Sequence, residues 1–498
     1  MRIVLLISTF KRLQNRYDSY FMKASHFTRL IILFFYTIAC VNKNSGEAAG
    51  VNDIDTSVAG NVTPNAVIAD TFETGKIITH VYCSADAAQS YALYIPSKGN
   101  NRALPVIYFF DPHGDGSFPL GKYKALADAY DFILAGSNNS KNGNDWPTTE
   151  NIWRIMFDDS QKRLKINGSL IYTCGFSGGA KVAGYVALNN NEVKGVIANG
   201  AGLPDGTPAA NFRFSFTAIA GAGDMNMTDL VAISSNLDKT LTRHRIIFFD
   251  GKHEWAPEKT MNIAFACLQL DAMHEKLIPV DNVFINNFIA GSRKKIADYL
   301  KINHLVKAEQ ECKLSISMLD GLTNELTWFT EKDSSVKTNP VYQKQLQTEQ
   351  NLLTTEDNLK EGYVKQFQQD DMNYWVKTIG DLQIKSKPQT PEGAMYQRLL
   401  AYLSLAFYSI SNRLITGNQN NEAQYFVNLY KMADATNSEA WYFSAILNAR
   451  NNNANATKDD LLRAITCGFA NKDRMMQQPE FQSLASQINF PEIESKMK

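Results

Sequence analysis

One short turn constrains this chain more than any other feature. Leu170-Ile-Tyr-Thr-Cys174 is an apolar run of strand character, and Ala180-Lys-Val-Ala-Gly-Tyr185 opens an apolar helix-like run. Only Gly175-Phe176-Ser177-Gly178-Gly179 lies between them. Small residues on both sides of the serine permit a strained strand-to-helix turn that lifts its hydroxyl clear of the backbone. A chain with such a turn must supply a sheet behind it and a helix leading away.

Other runs supply that sheet. Ile77–Cys83 and Ser90–Ile95 read as an opening strand pair, the second alternating around Tyr91, Leu93 and Ile95. Val106–Phe110, Phe132–Ala135, Leu170–Cys174, Val193–Ala198, Phe214–Ala220 and Arg245–Phe249 are apolar on both faces, as buried parallel strands are. Helix-suited stretches at Gly121–Tyr130, Thr149–Leu164 and Gly179–Leu188 separate them. The pattern predicts an α/β fold with eight mostly parallel strands and crossover helices, whose reactive groups sit on loops at the carboxyl ends of strands.

A serine hydroxyl is a weak nucleophile at neutral pH, so Ser177 requires a histidine base and an orienting carboxylate downstream. The strand 214–220 runs into Gly221-Ala-Gly-Asp224, and the strand 245–249 into Asp250-Gly-Lys-His253-Glu-Trp255. Asp224 and His253 therefore follow Ser177 in the required order. His244 begins a strand and His274 falls in a helical run, so neither fits. For the oxyanion, the N–H of Gly178 is one candidate donor. The turn Phe110-Asp-Pro-His113-Gly114-Asp115-Gly, directly after a buried strand, offers Gly114 or Asp115 as the second. Trp255, His113 and the stretch 138–142, with Asn139, are expected to line the mouth, where an aromatic beside polar amides suits a sugar or aryl ester.

Residues 75–278, about two fifths of the chain, resemble the α/β-hydrolase superfamily, and within it the secreted esterase and polyester-depolymerase-like branch. The resemblance rests on Tyr91-Ala-Leu-Tyr-Ile-Pro96, the His113-Gly114 turn, Gly-Phe-Ser-Gly-Gly-Ala and Gly-Lys-His-Glu-Trp. It implies nucleophile, acid and base roles for Ser177, Asp224 and His253. Asp-Pro replaces the apolar residue that usually precedes the family's His-Gly turn.

Upstream, residues 22–40 show a basic start, a short apolar run and Ala39 before Cys40, the shape of an export signal, with Met22 as a second start. The apolar run is about a dozen residues, short of the roughly 20 a spanning helix needs. Thr37-Ile-Ala-Cys40 resembles a bacterial lipobox, with Thr37 where leucine is usual; it implies lipidation at Cys40 and a membrane-anchored, exported protein. Residues 41–66, rich in Asn, Gly, Ala, Ser and Thr, read as a flexible tether.

The expected organisation is a leader (1–40), a tether (41–66), a hydrolase domain (67–278) and a helical domain (279–498). The last shows amphipathic runs at Val283–Leu300, His304–Trp328, Tyr342–Ile379 and Ala394–Leu414, and its end resembles degenerate tetratricopeptide-type helix pairs around Trp441 and Leu461. Its expected role is packing or contact with a protein partner. Lys plus Arg and Asp plus Glu are 50 each, which leaves no basic field for nucleic acid. The six cysteines form no CxxC and pair with no histidines, so neither a metal site nor a cofactor is expected. These features together point to a serine hydrolase cleaving carboxylic esters, with acylated glycans or small esters as substrates. They leave open a serine peptidase on the same fold and a lipid-anchored binding protein with a vestigial site.

Overall fold

The computed structural model describes residues 72–98, 102–369 and 371–497. The leader, Cys40 and the tether lie outside them. The described chain divides into two compact units. The first comprises residues up to 218 with 229–246 and 257–281; the second comprises 219–228, 247–256 and everything from 282 onward.

Eight strands are present: β1 (Ile77–Cys83), β2 (Asp86–Tyr94), β3 (Leu104–Phe110), β4 (Ile133–Ser137), β5 (Ile166–Phe176), β6 (Val193–Asn199), β7 (Ser215–Gly221) and β8 (His244–Phe249). They form one sheet in the order β1-β2-β4-β3-β5-β6-β7-β8. β2 runs antiparallel to β1 and β4, while β3, β4, β5 and β6 run parallel. This is the eight-stranded, mostly parallel sheet of an α/β-hydrolase fold, followed by an all-α region. The central strands are apolar on both faces because helices cover both: every residue of β7 is buried, as are Val106 through Phe110 of β3.

Five helices accompany the sheet: α1 (Ser117–Tyr130), α2 (Trp146–Arg163), α3 (Gly178–Asn189), α4 (Met227–Leu237) and α5 (Glu258–His274). Asp145 caps α2 through its carboxylate on the Thr148 N–H, at 2.8 Å, with Pro147 in the first turn. Residues 200–214 form turns with no helix of their own, so the loop after β6 is not a helical lid.

A buried ion cluster fastens α5 to β8 in the first unit. Asp271 accepts from Arg245 Nη1 and Nη2 at 2.5 and 2.8 Å and from Arg243 Nε at 2.9 Å. Burial raises the Asp271 carboxyl, but the Arg245 guanidinium outweighs that and holds it below the usual range.

The helices of the second unit are α6 (Asn282–Lys301), α7 (Leu305–Leu319), α8 (Leu326–Lys337), α9 (Pro340–Gln366), α10 (Met372–Lys385), α11 (Pro391–Thr416), α12 (Asn420–Ala433), α13 (Ser438–Arg450) and α14 (Ala454–Thr466), with three short ones after them. The expected run 304–328 is two helices, because Gly321 turns the chain at φ 71°. The run 342–379 also breaks. Asp371 caps a new helix by accepting from the Tyr374 N–H at 3.0 Å. A shared core holds α9 through α14 together, with Trp375 edge-on to Phe407 at 5.3 Å and Tyr442 stacked on Phe469 at 4.5 Å.

Asp271→Asn removes the negative partner of two guanidiniums, one of them wholly buried, and is expected to cost about 3–5 kcal/mol of stability near pH 7. Because the folded carboxyl titrates below its unfolded value, that contribution is present above about pH 4 and is lost as the pH falls through the folded value. Urea midpoints of wild type and variant should therefore converge in acid.

Candidate active site

The first unit carries the serine. β5 ends at Phe176 and α3 begins at Gly178, leaving Ser177 alone at the corner with φ 53° and ψ −122°. A non-glycine residue there carries strain of order 1–3 kcal/mol and persists only where its surroundings over-determine it. Those surroundings are visible. The Ser177 N–H donates to the Asn199 carbonyl at the end of β6, at 2.9 Å, and the Ser177 carbonyl accepts from Ala180 N–H at 3.0 Å. Thr173 of β5 donates through its hydroxyl to Ala183 of α3 at 3.0 Å.

The flanking glycines answer a packing demand. A Cβ on Gly175 would overlap the Gly179 carbonyl, and one on Gly179 would overlap the Phe110 carbonyl at the tip of β3. Both obstacles are backbone and cannot rotate away. At Gly178 the obstacle is the Asn142 side-chain oxygen. Of the stretch 138–142, Asn142 therefore reaches the corner. Asn138 and Asn139 are instead straps: Asn138 accepts from Gly116 N–H at 3.2 Å, and Asn139 accepts from Ser90 N–H at 2.8 Å while donating to the Ala88 carbonyl. Cys174, three residues before the serine, does not compete as a nucleophile, since burial pushes its thiol well above the usual range.

Gly178 stands at the first position of α3, where its N–H has no intrahelical acceptor and remains available for an anion. The loop after β3 narrows the expected choice between Gly114 and Asp115. The Gly114 N–H donates to the Asp111 carbonyl at 3.1 Å and closes its own turn, which leaves the Asp115 N–H as this loop's candidate donor. The Asp115 carboxylate is occupied at the start of α1, accepting from the N–H and hydroxyl of Ser117 at 3.1 and 2.7 Å. His113 braces the turn, its N–H donating to Asp111 Oδ1 at 2.8 Å while its side chain is 83% exposed.

The second unit carries the acid and the histidine. It contains the carboxyl-terminal tips of β7 and β8 and the segments that follow them. Ala222 N–H donates to the Phe249 carbonyl at 2.9 Å and Gly223 N–H to the Gly251 carbonyl at 2.8 Å, which joins the two segments. Asp224 and His253 are thereby brought together: Nδ1 of His253 lies 3.0 Å from Asp224 Oδ1. The same oxygen accepts from Asn226 N–H at 2.8 Å. Asp224 is 1% exposed. Trp255, two residues after His253, is buried at 6% exposure. Among the described residues no group of three or more His, Cys, Asp or Glu side chains is placed to hold a metal, and no helix is long and apolar enough to cross a membrane.

No protein-family model matches the chain, and no curated protein matches it. Among solved structures it is similar to an esterase of Pyrobaculum calidifontis, at 10% identity over 40% of this chain and 85% of that one, with a TM-score of 0.33. A thermostable carboxylesterase cloned from a metagenomic library is similar at 11% identity over 41% and 91%, TM-score 0.34. An acylaminoacyl peptidase of Pyrococcus horikoshii is similar at 10% identity over 37% and 39%, TM-score 0.29. At this extent the fold assignment rests on the strand order given above, and the activities named are those proteins' own.

The corner makes a graded prediction. Gly175→Ala and Gly179→Ala press a methyl into backbone and are expected to cost at least about 1–3 kcal/mol. Gly178→Ala displaces only the Asn142 side chain and should leave stability within about 0.5 kcal/mol of wild type. Thermal unfolding of the three variants reads the difference.

Proposed function

We propose that the protein is a serine hydrolase that cleaves carboxylic esters through an acyl-enzyme. The observation that carries the reading is the backbone of Ser177, a strained non-glycine corner between a strand and a helix N-terminus. Strain of this kind collects at functional positions, and here it presents a hydroxyl beside unsatisfied amides. The His253–Asp224 hydrogen bond supports it, because an imidazole held by a buried carboxylate is a base with a fixed tautomer.

In the proposed reaction Ser177 Oγ attacks the acyl carbonyl while His253 Nε2 accepts its proton. His253 keeps the Nδ1 proton and donates it to Asp224, whose charge stabilises the imidazolium. The Gly178 N–H and the Asp115 N–H hold the oxyanion. The imidazolium returns its proton to the leaving alkoxide, and the alcohol departs. Water, deprotonated by His253, then attacks the acyl-enzyme; the imidazolium returns that proton to the departing Ser177 Oγ, and the acid is released. No cofactor takes part. Small esters and acylated glycans are the proposed substrates, the enzyme being exported and anchored through a lipid on Cys40.

A fluorophosphonate probe should label one serine per chain, and Ser177→Ala should abolish labelling and turnover of p-nitrophenyl acetate together. Asp224→Asn should lower kcat by about 10⁴-fold. Undiminished labelling of Ser177→Ala sinks the reading. Faster turnover of peptide amides than of esters replaces esterase with peptidase.

A further inference from the structure

The second unit contains more than helices, and the way it holds the acid segment gives it a task. Arg398 of α11 and Glu356 of α9 form a buried pair, 4% and 0% exposed. Arg398 Nε and Nη2 donate to Glu356 Oε2 at 2.8 and 2.6 Å. The remaining arm of the fork, Nη1, donates to the Ala222 carbonyl at 2.6 Å. Ala222 lies two residues before Asp224. The neighbouring residue of α11 reaches the same segment: a Cβ on Gly223 would come within 2.6 Å of Gln397 Oε1. Gln397 is itself tethered, donating to the Ser386 carbonyl at 2.9 Å.

A buried ion pair is poor evidence of stabilisation, because desolvating two charges costs about as much as their attraction returns. What an apolar pair could not supply is a charged donor aimed at one carbonyl. Asp224 needs such help. Its Oδ1 takes both donors described above, and its buried Oδ2 has none within the described chain, so the backbone beneath must hold the carboxylate in place. A second tie from the helices, Lys307 Nζ to Asp250 Oδ1 at 3.5 Å, is long and half exposed and adds little.

We infer that Arg398, held by Glu356, is a positioning residue for the acid of the proposed triad, so that helices α9 and α11 set the alignment of His253. The inference rests on Asp224 being the orienting carboxylate. It assigns to the helical region a share in turnover through the Arg398–Ala222 bond, in addition to packing or partner contact.

The test uses the full chain with R398M and R398K, and R474M as a control. Arg474 pairs with Glu439 at 2.6 Å on α13 and touches neither segment. Lysine at 398 keeps a cation for Glu356 but cannot fork to two acceptors, so R398K remains informative if R398M fails to fold. Both 398 variants should lower kcat on p-nitrophenyl acetate by about 10–100-fold with KM little changed. The downfield imidazole proton resonance of the His253–Asp224 bond should shift upfield or vanish in both, and stay in R474M. A folded R398K with wild-type kcat and an unmoved resonance overturns the inference. Turnover that survives Ser177→Ala overturns the hydrolase reading instead, while the resonance still reports on the brace.

Discussion

Everything at the serine corner depends on three backbones approaching more closely than any side chain allows. The end of β5, the first turn of α3 and the tip of β3 meet at Gly175, Gly179 and Phe110, and no methyl fits between them. This crowding compels Ser177 to carry the positive φ, since neither the strand nor the helix can yield. Strain at one residue is thus the outcome of tight packing at its neighbours. The strand order makes the crowding possible by placing β3 beside β5, so that Phe110 is in register with Gly175.

The acid and the histidine are held by different means. Here too glycine permits the approach, since a Cβ on Gly221 would overlap the Gly251 and Lys252 carbonyls. Two short segments zip to each other through backbone bonds, and α11 presses on one of them with Arg398 and Gln397. Backbone strain sets the proposed nucleophile apart; at the proposed base the added element is the side-chain reach of α11.

Much of this was legible in the sequence, for physical reasons. Strands buried on both faces leave continuous apolar runs, which marked every central strand; β5 begins earlier than its apolar part because Ile166 pairs with Leu104 ahead of an irregularity at which Gly168 and Ser169 are exposed. The corner was legible because small residues crowd around a serine. Helix breaks at Gly321 and Asp371 were hidden inside amphipathic periodicity, where a turn of a few residues barely disturbs the apolar stripe. The occupied amide of Gly114 could not be read, because local sequence does not say which N–H a turn uses. The Arg398–Ala222 bond was beyond reach altogether: its partners stand 176 residues apart, and a buried arginine on a helix has no local signature.

The membership of the two units has a consequence for modularity. The polypeptide passes from the first unit to the second and back twice before entering it for good at residue 282. A single cut ahead of residue 282 would not separate the two units cleanly, because the segments bearing Asp224 and His253 would stay with the first unit and lose the helices they pack with. Nor is the helical half indifferent to those segments, since Arg398 of α11 donates to the Ala222 carbonyl. Glu356, Arg398 and the Ala222 segment act as one hydrogen-bonded assembly, although they are far apart along the chain.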